Sequence, residues 1–234
     1  MGTLQHQGAD VAEAAGRVVA APLGALARWR RGKPMHPRGA VFDGVLQRGT
    51  GADELGVPWL DEPARDEVLV RLSRGAGLPA PLPDLLGLAV KLPDGVDLLL
   101  SSTARAPLLR LVPVLRRDAA TVYTSIMGYR SDGGTLRLAA LPEQSHSPSE
   151  PQPLAAAVAH AGLAFTLAAA RGLGPWRPFG RLELTGPREE LDPDVRFDAV
   201  RHPPEGLVPD GPMARFRAPS YAAARAGRDA AASS

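Results

Sequence analysis

Between residues 39 and 185 the chain is written in short apolar runs, most of them alternating, each closed by Gly, Pro or Asp. A period of two sends successive side chains to opposite faces, so these runs predict strands with one covered face. Strands are expected at 39–47, 67–74, 86–92, 96–101, 121–130, 135–141 and 179–185. An eighth run, 163–170, alternates at Leu163, Phe165 and Leu167, yet its alanines suit a helix equally well. Two links read as hairpins, Pro93-Asp94-Gly95 and Ser131-Asp132-Gly133-Gly134. Eight short strands separated by turn residues predict a closed antiparallel barrel; an open α+β sheet is the alternative.

Outside the strands the pattern changes. Residues 10–31 are Ala-rich, with Val11, Ala15, Val18, Val19, Leu23 and Leu26 at roughly helical spacing. This predicts an N-terminal helix, open to interruption at Pro22 and ended by Gly32 and Pro34. The Leu-rich segment 107–115 reads as a short helix, and 143–153, rich in Pro, Ser and Glu, as a surface loop. The domains expected are a helical arm at 1–34, a barrel at 35–228 and a disordered tail at 229–234.

Composition narrows the function classes. A chain of 234 residues is long enough for one domain with a sizeable core. Lys plus Arg total 27 against 25 Asp plus Glu, a net charge of +2. The arginines are scattered, with no basic run flanked by aromatics, so no nucleic-acid partner is expected. The absence of cysteine excludes disulfides, thiolate metal sites and Cys nucleophiles. Residues 1–10 lack a leader pattern, and no apolar stretch reaches the ~20 residues a membrane span needs. A soluble cytoplasmic protein with no membrane partner is therefore expected. No phosphate-binding loop, H-E-x-x-H helix or G-x-S-x-G elbow occurs.

Four segments carry chemistry by their order. They are Met-His-Pro-Arg-Gly-Ala (35–40), Val-Leu-Val-Arg-Leu-Ser (68–73), Asp-Leu-Leu-Gly-Leu-Ala-Val-Lys-Leu (84–92) and Asp-Leu-Leu-Leu-Ser-Ser-Thr (97–103). In this order they resemble the haem-pocket strands of the haem catalase superfamily, written there as V-H-A-R-G-A, V-R-F-S, D-x-R-G-F-A-x-K-F and D-L-V-G-N-N-T. Tyr123-Thr-Ser-Ile-Met-Gly-Tyr129, followed by Gly133-Gly134, resembles the family's Y-G-S-H-T-Y-x-F hairpin. The likeness runs from about residue 35 to 141 and resumes at Tyr221. It is similar to the compact, catalase-related peroxidase branch. The fold it implies is α+β, mainly β: a catalase-like eight-stranded antiparallel barrel with N-terminal and C-terminal helices.

The resemblance also implies roles. His36 matches the distal histidine, an imidazole whose ordinary pKa near ~6.5 lets it take and return a proton. Ser73 matches the serine that orients that ring, and Arg71 shares its strand face. Lys33 stands where the family has a propionate-binding Arg, keeping the charge without the bidentate fork. Ser101 replaces the first Asn of N-N-T, whose amide donates to the peroxide. Loss of a donor of this kind costs ~10²–10³ in oxyanion-type sites, so peroxidase turnover is expected over fast dismutation. Tyr221 matches the axial tyrosinate, with Arg217 in R-x-x-x-Y and Arg225 a helical turn beyond to keep the phenol ionised. Pro219, between Arg217 and Tyr221, favours a helix's first turn and sets Arg217 at its edge.

The expectation is a haem-dependent peroxidase or catalase-like protein reducing hydrogen peroxide or organic hydroperoxides. Its cofactor would be haem b (iron protoporphyrin IX), its partners a peroxide and an unidentified reductant, its assembly open to a homodimer. A haem enzyme that rearranges hydroperoxides in the manner of allene-oxide synthases, and a haem-free binding module on the same fold, remain alternatives.

Overall fold

The computed structural model describes residues 36–211. The expected N-terminal helix, Lys33, and the C-terminal helix with Arg217, Tyr221 and Arg225 lie outside the described residues.

All eight runs form strands. In chain order these are β1 (Arg38–Arg48), β2 (Ala64–Arg74), β3 (Asp84–Lys91), β4 (Asp97–Ser102), β5 (Leu115–Arg116), β6 (Tyr123–Thr124), β7 (Gly128–Ser131), β8 (Gly134–Pro142), β9 (Leu163–Arg171), β10 (Arg177–Pro187) and β11 (Val208–Asp210). Antiparallel pairing runs β8-β6-β4-β3-β2-β1-β10-β9, and β9 returns to β8, so eight strands close a barrel. Closure removes the exposed edges that an open sheet would leave unpaired.

Three expectations are corrected. The predicted strand 121–130 is two pieces, β6 and β7, which pair with different parts of β8. Between them Ile126 takes a φ of 51°, an uncommon conformation for a β-branched residue. Ser125 bridges the gap: its hydroxyl donates to the Met127 carbonyl at 2.6 Å and accepts from the Leu138 N–H at 3.3 Å. Segment 107–115 holds a 3₁₀ turn at Leu109–Leu111 and the first residue of β5 in place of the expected short helix. Helix α1 is the single turn Pro58–Asp61. The supposed loop 143–153 ends inside a helix, α2 (Pro151–Ala161), because proline is tolerated in a first turn. Leu154 and Val158, four apart, are buried where α2 packs on β1 and β10. Gly162 then ends α2 with a φ of 68°, leaving the ambiguous run 163–170 to enter the sheet as β9.

Inside the barrel the side chains are large and apolar: Phe42, Val70, Leu88, Leu100, Tyr123, Phe165 and Leu182 form one buried cluster. Each such side chain contributes about 1.5–3 kcal/mol on burial. One row of the outward-pointing positions is small. Following direct partners from β1, the outer row reads Gly39, Ser73, Gly87, Ser101, Thr124, Ala139, Ala168 and Pro178. Directly paired residues project to one face, so this row is a low belt wound around the barrel. It begins near one end of β1 and finishes beside Gly180, the partner of Arg48 at the other end, the stagger that a closed barrel requires.

Candidate functional site

The belt is lowest at Gly87, and there the His36 imidazole sits. A methyl group at Gly87 would lie 2.7 Å from His36 Cε1 and 2.9 Å from His36 Nδ1, so the ring rests against the bare strand. His36 Nδ1 is hydrogen-bonded to the Ser73 hydroxyl at 2.9 Å. Ser73 is the β2 partner of Gly87, and Ser101 its β4 partner, so the two hydroxyls flank the ring's seat on one face. Three residues spread over 65 positions of sequence thus meet at one spot on the outer wall.

The main chain holds His36 in place. Its φ is 61°, a left-handed conformation unusual for a residue that precedes proline. Strain of this kind persists only where the surroundings over-determine it. Here the His36 N–H donates to the Gly75 carbonyl at 3.1 Å, and its own carbonyl accepts from Arg71 Nη2 at 3.0 Å. Gly75 lies at the start of a loop tied down by two buried charges. Asp84 accepts from the N–H groups of Ala76 and Leu78 at 2.7 and 2.9 Å, and Arg74 donates to the carbonyls of Leu78 and Leu82 at 2.8 and 2.7 Å.

Arg71 shares the Ser73 face, as the alternation predicts. Its guanidinium is engaged by Asp192, with Nε and Nη2 at 2.6 and 2.9 Å from the two carboxylate oxygens. Asp192 belongs to the segment after β10, which runs along β1 through Val41 N–H to Leu191 carbonyl at 2.7 Å. Of the expected site residues, His36, Ser73, Ser101 and Arg71 come together; Lys33, Arg217, Tyr221 and Arg225 lie outside the described residues. Among those described, no group of three or more His, Asp or Glu is placed to hold a metal ion.

Two contributors were not singled out from sequence. Gly87 had a signal, since an isolated Gly inside a strand marks a close approach. Asp192 had none: an acid 121 positions from its arginine is paired only by the fold. His202 is held by its N–H donating to the Asp198 carbonyl at 2.9 Å, and its Nδ1 is 3.3 Å from the buried Asp97 carboxylate.

No protein-family model matches the chain, and no curated protein matches it. Solved structures do. A fungal catalase superposes with a TM-score of 0.59 at 14% identity, over 83% of this chain and 60% of its own. Catalase A from Saccharomyces cerevisiae gives a TM-score of 0.62 at 13% identity, over 86% of this chain and 63% of its own. The protein has a catalase-like fold. It spans about three-fifths of the length of these catalases, and the likeness is one of fold. No helix among the described residues is long and apolar enough to cross a membrane.

Proposed function

We propose that this is a haem-dependent, catalase-like protein that reduces hydrogen peroxide or organic hydroperoxides with an external electron donor. The observation that carries the reading is the His36–Ser73 hydrogen bond of 2.9 Å over Gly87, on the outer wall of a catalase-like barrel. The wall fits one side of a flat macrocycle. The residues of its belt are small, it carries two hydroxyls, and the His36 imidazole lies against the strand instead of standing off it. Haem b would be held between this wall and Tyr221, with Arg217 and Arg225 keeping the phenol ionised and Lys33 and Arg71 near the propionates.

When bound, haem iron supplies the redox centre at which a peroxide O–O bond is cleaved. The chain's own residues manage protons around it. Ser73 occupies His36 Nδ1 and fixes the ring's plane, so proton transfer falls to Nε2. From there the imidazole takes a proton from one peroxide oxygen and returns it to the other. The Ser101 hydroxyl would donate to a peroxide oxygen, directly or through a water, over a shorter reach than an amide. This favours slow peroxidase turnover over dismutation.

One observation favours the haem-free module. Arg71 is already forked onto Asp192, and a propionate would have to share or displace that partner. Titrating the full chain with hemin separates the readings. A saturable Soret band with tyrosinate features is expected, and Tyr221→Phe should lose it or convert it to the spectrum of another ligand. A chain that stays colourless in excess hemin ends the haem reading.

A further inference from the structure

Further round the belt, the outer face carries two arginines whose chemistry the proposed reaction does not use. Arg110 lies in the 3₁₀ turn, and its carbonyl accepts from the Thr124 hydroxyl of β6 at 2.9 Å, which pins the turn to the wall. Its side chain is only 1% exposed. Nη2 donates to the Gly174 carbonyl at 2.8 Å, and the guanidinium carbon stands 4.4 Å from the Trp176 ring centroid. Trp176 is itself anchored through Nε1 to the Arg105 carbonyl at 3.3 Å. The remaining donors of Arg110, Nε and Nη1, are buried and have no hydrogen-bond partner among the described residues.

Arg137 projects outward from β8, next to Leu136 and Leu138, which face the core, and two residues along the same face from Ala139, the β8 partner of the Thr124 that holds Arg110. Its one described hydrogen bond is a long one, Nε to the Ile126 carbonyl at 3.4 Å, at the residue whose φ is positive. Among the described residues, neither arginine is paired with a carboxylate. Burial lowers the pKa of Arg110, and the neighbouring charge of Arg137 lowers it further; burial alone lowers that of Arg137.

A buried cation with idle donors is costly unless an anion meets it. Two guanidiniums with no acid between them make this worse, because each repels the other at low local dielectric. A guanidinium held flat against an indole, with idle Nε and Nη1 donors and a second cation on the same stretch of wall, is a donor set that suits an oxyanion. We infer that Arg110, held on Trp176, and Arg137 form a binding site for a small oxyanion of the carboxylate or phosphate class. The site is independent of haem, so it can be tested whether or not the haem reading stands.

The test is calorimetric titration and thermal melting of the full chain with inorganic phosphate, and separately with acetate, chloride holding the ionic strength constant. Saturable one-to-one binding of at least one of the two is expected, with a rise in melting temperature. Arg137→Gln should weaken binding roughly tenfold or more, as loss of a charge-assisted fork does. Arg137→Lys should fall between the two, since the charge stays and the fork goes. Arg130→Gln, an exposed arginine on β7, should bind as the parent does. If Arg137→Gln does not fold, Arg137→Lys decides the matter, together with the arginine Nε–H resonances of the parent followed during titration. No saturable binding of either anion, which includes a corner already filled by a carboxylate of the chain, overturns the inference. So does affinity unchanged by the Arg137 variants.

Discussion

The two faces of the barrel wall obey opposite rules, although they alternate residue by residue along the same strands. Inward, positions such as Phe42, Val70, Tyr123 and Phe165 are filled to closure, with Tyr123 and Phe165 packed edge to face at a centroid distance of 5.8 Å. Outward, the belt from Gly39 through Ser73, Gly87, Ser101 and Ala139 to Ala168 carries almost no side-chain volume. The inner face is what makes a barrel. The outer face is kept low where something must come close to the backbone, and at Gly87 that something is the His36 imidazole. A purely structural wall gains nothing from clearing one belt of its outer side, so the contrast separates residues that hold the fold from residues that shape a surface.

Truncating a residue on each face puts this contrast under the greatest stress. Phe165→Ala should cost about 3–5 kcal/mol, because it leaves a cavity in a core that cannot collapse. Ala168→Gly, on the outer face of the same strand, should cost only about 0.5–1 kcal/mol. Urea unfolding of the two variants reads the difference, and equal losses would end the two-face description.

Next in size is the chemical role of the outer face. His36→Ala should leave hemin binding intact and lower peroxidase turnover by ~10², about 2.7 kcal/mol of barrier. Steady-state rates with a dye donor measure it, and an unaltered rate removes His36 from proton transfer. The seat itself can be tested by Gly87→Ala. The added methyl would lie within 2.7–2.9 Å of His36 and of the Ser73 hydroxyl, so the ring must move while the strand stays. A stability cost of about 1–3 kcal/mol is expected, with loss of the His36–Ser73 bond visible in the imidazole nitrogen resonances.

The smallest effect lies back inside. Tyr123 donates to the Ala119 carbonyl at 2.9 Å, and burial, helped by Asp118, pushes its phenol well above the ordinary value. The unfolded chain therefore loses this proton near ~10 while the folded chain keeps it. Fewer protons are then bound in the unfolded state, and stability must fall as pH rises past that value. Tyr123→Phe should cost about 1 kcal/mol at neutral pH, through the lost hydrogen bond, and flatten the alkaline loss. Urea midpoints near about pH 8 and about pH 10.5 show whether it does.

Much of the fold was legible because a strand's period is local: Val68, Val70 and Leu72 declare their face within five residues, whatever lies elsewhere. The break at Ile126 was not, since its positive φ answers to Ser125 and β8, a partner strand the local pattern does not reveal. Helix α2 was hidden by its own prolines, which look like loop residues until their place in the first turn is known. The site divided along the same line. His36, Ser73 and Ser101 could be named by their resemblance to catalase motifs, and Gly87 could have been suspected from its isolation in an apolar run.

Local pattern thus sufficed for most of the strands, their inward faces and the residue types available for proton chemistry, because alternation and composition act over a few residues. Which of those residues meet depended on packing across the whole chain. Barrel closure fixes the register that sets Ser73, Gly87 and Ser101 side by side under His36. The chain after β10 must fold back over β1 before Asp192 can reach Arg71. And Arg110 is ordinary until the wall around Thr124, Gly174 and Trp176 removes its water, since desolvation is a property of the packed surroundings and of no residue alone.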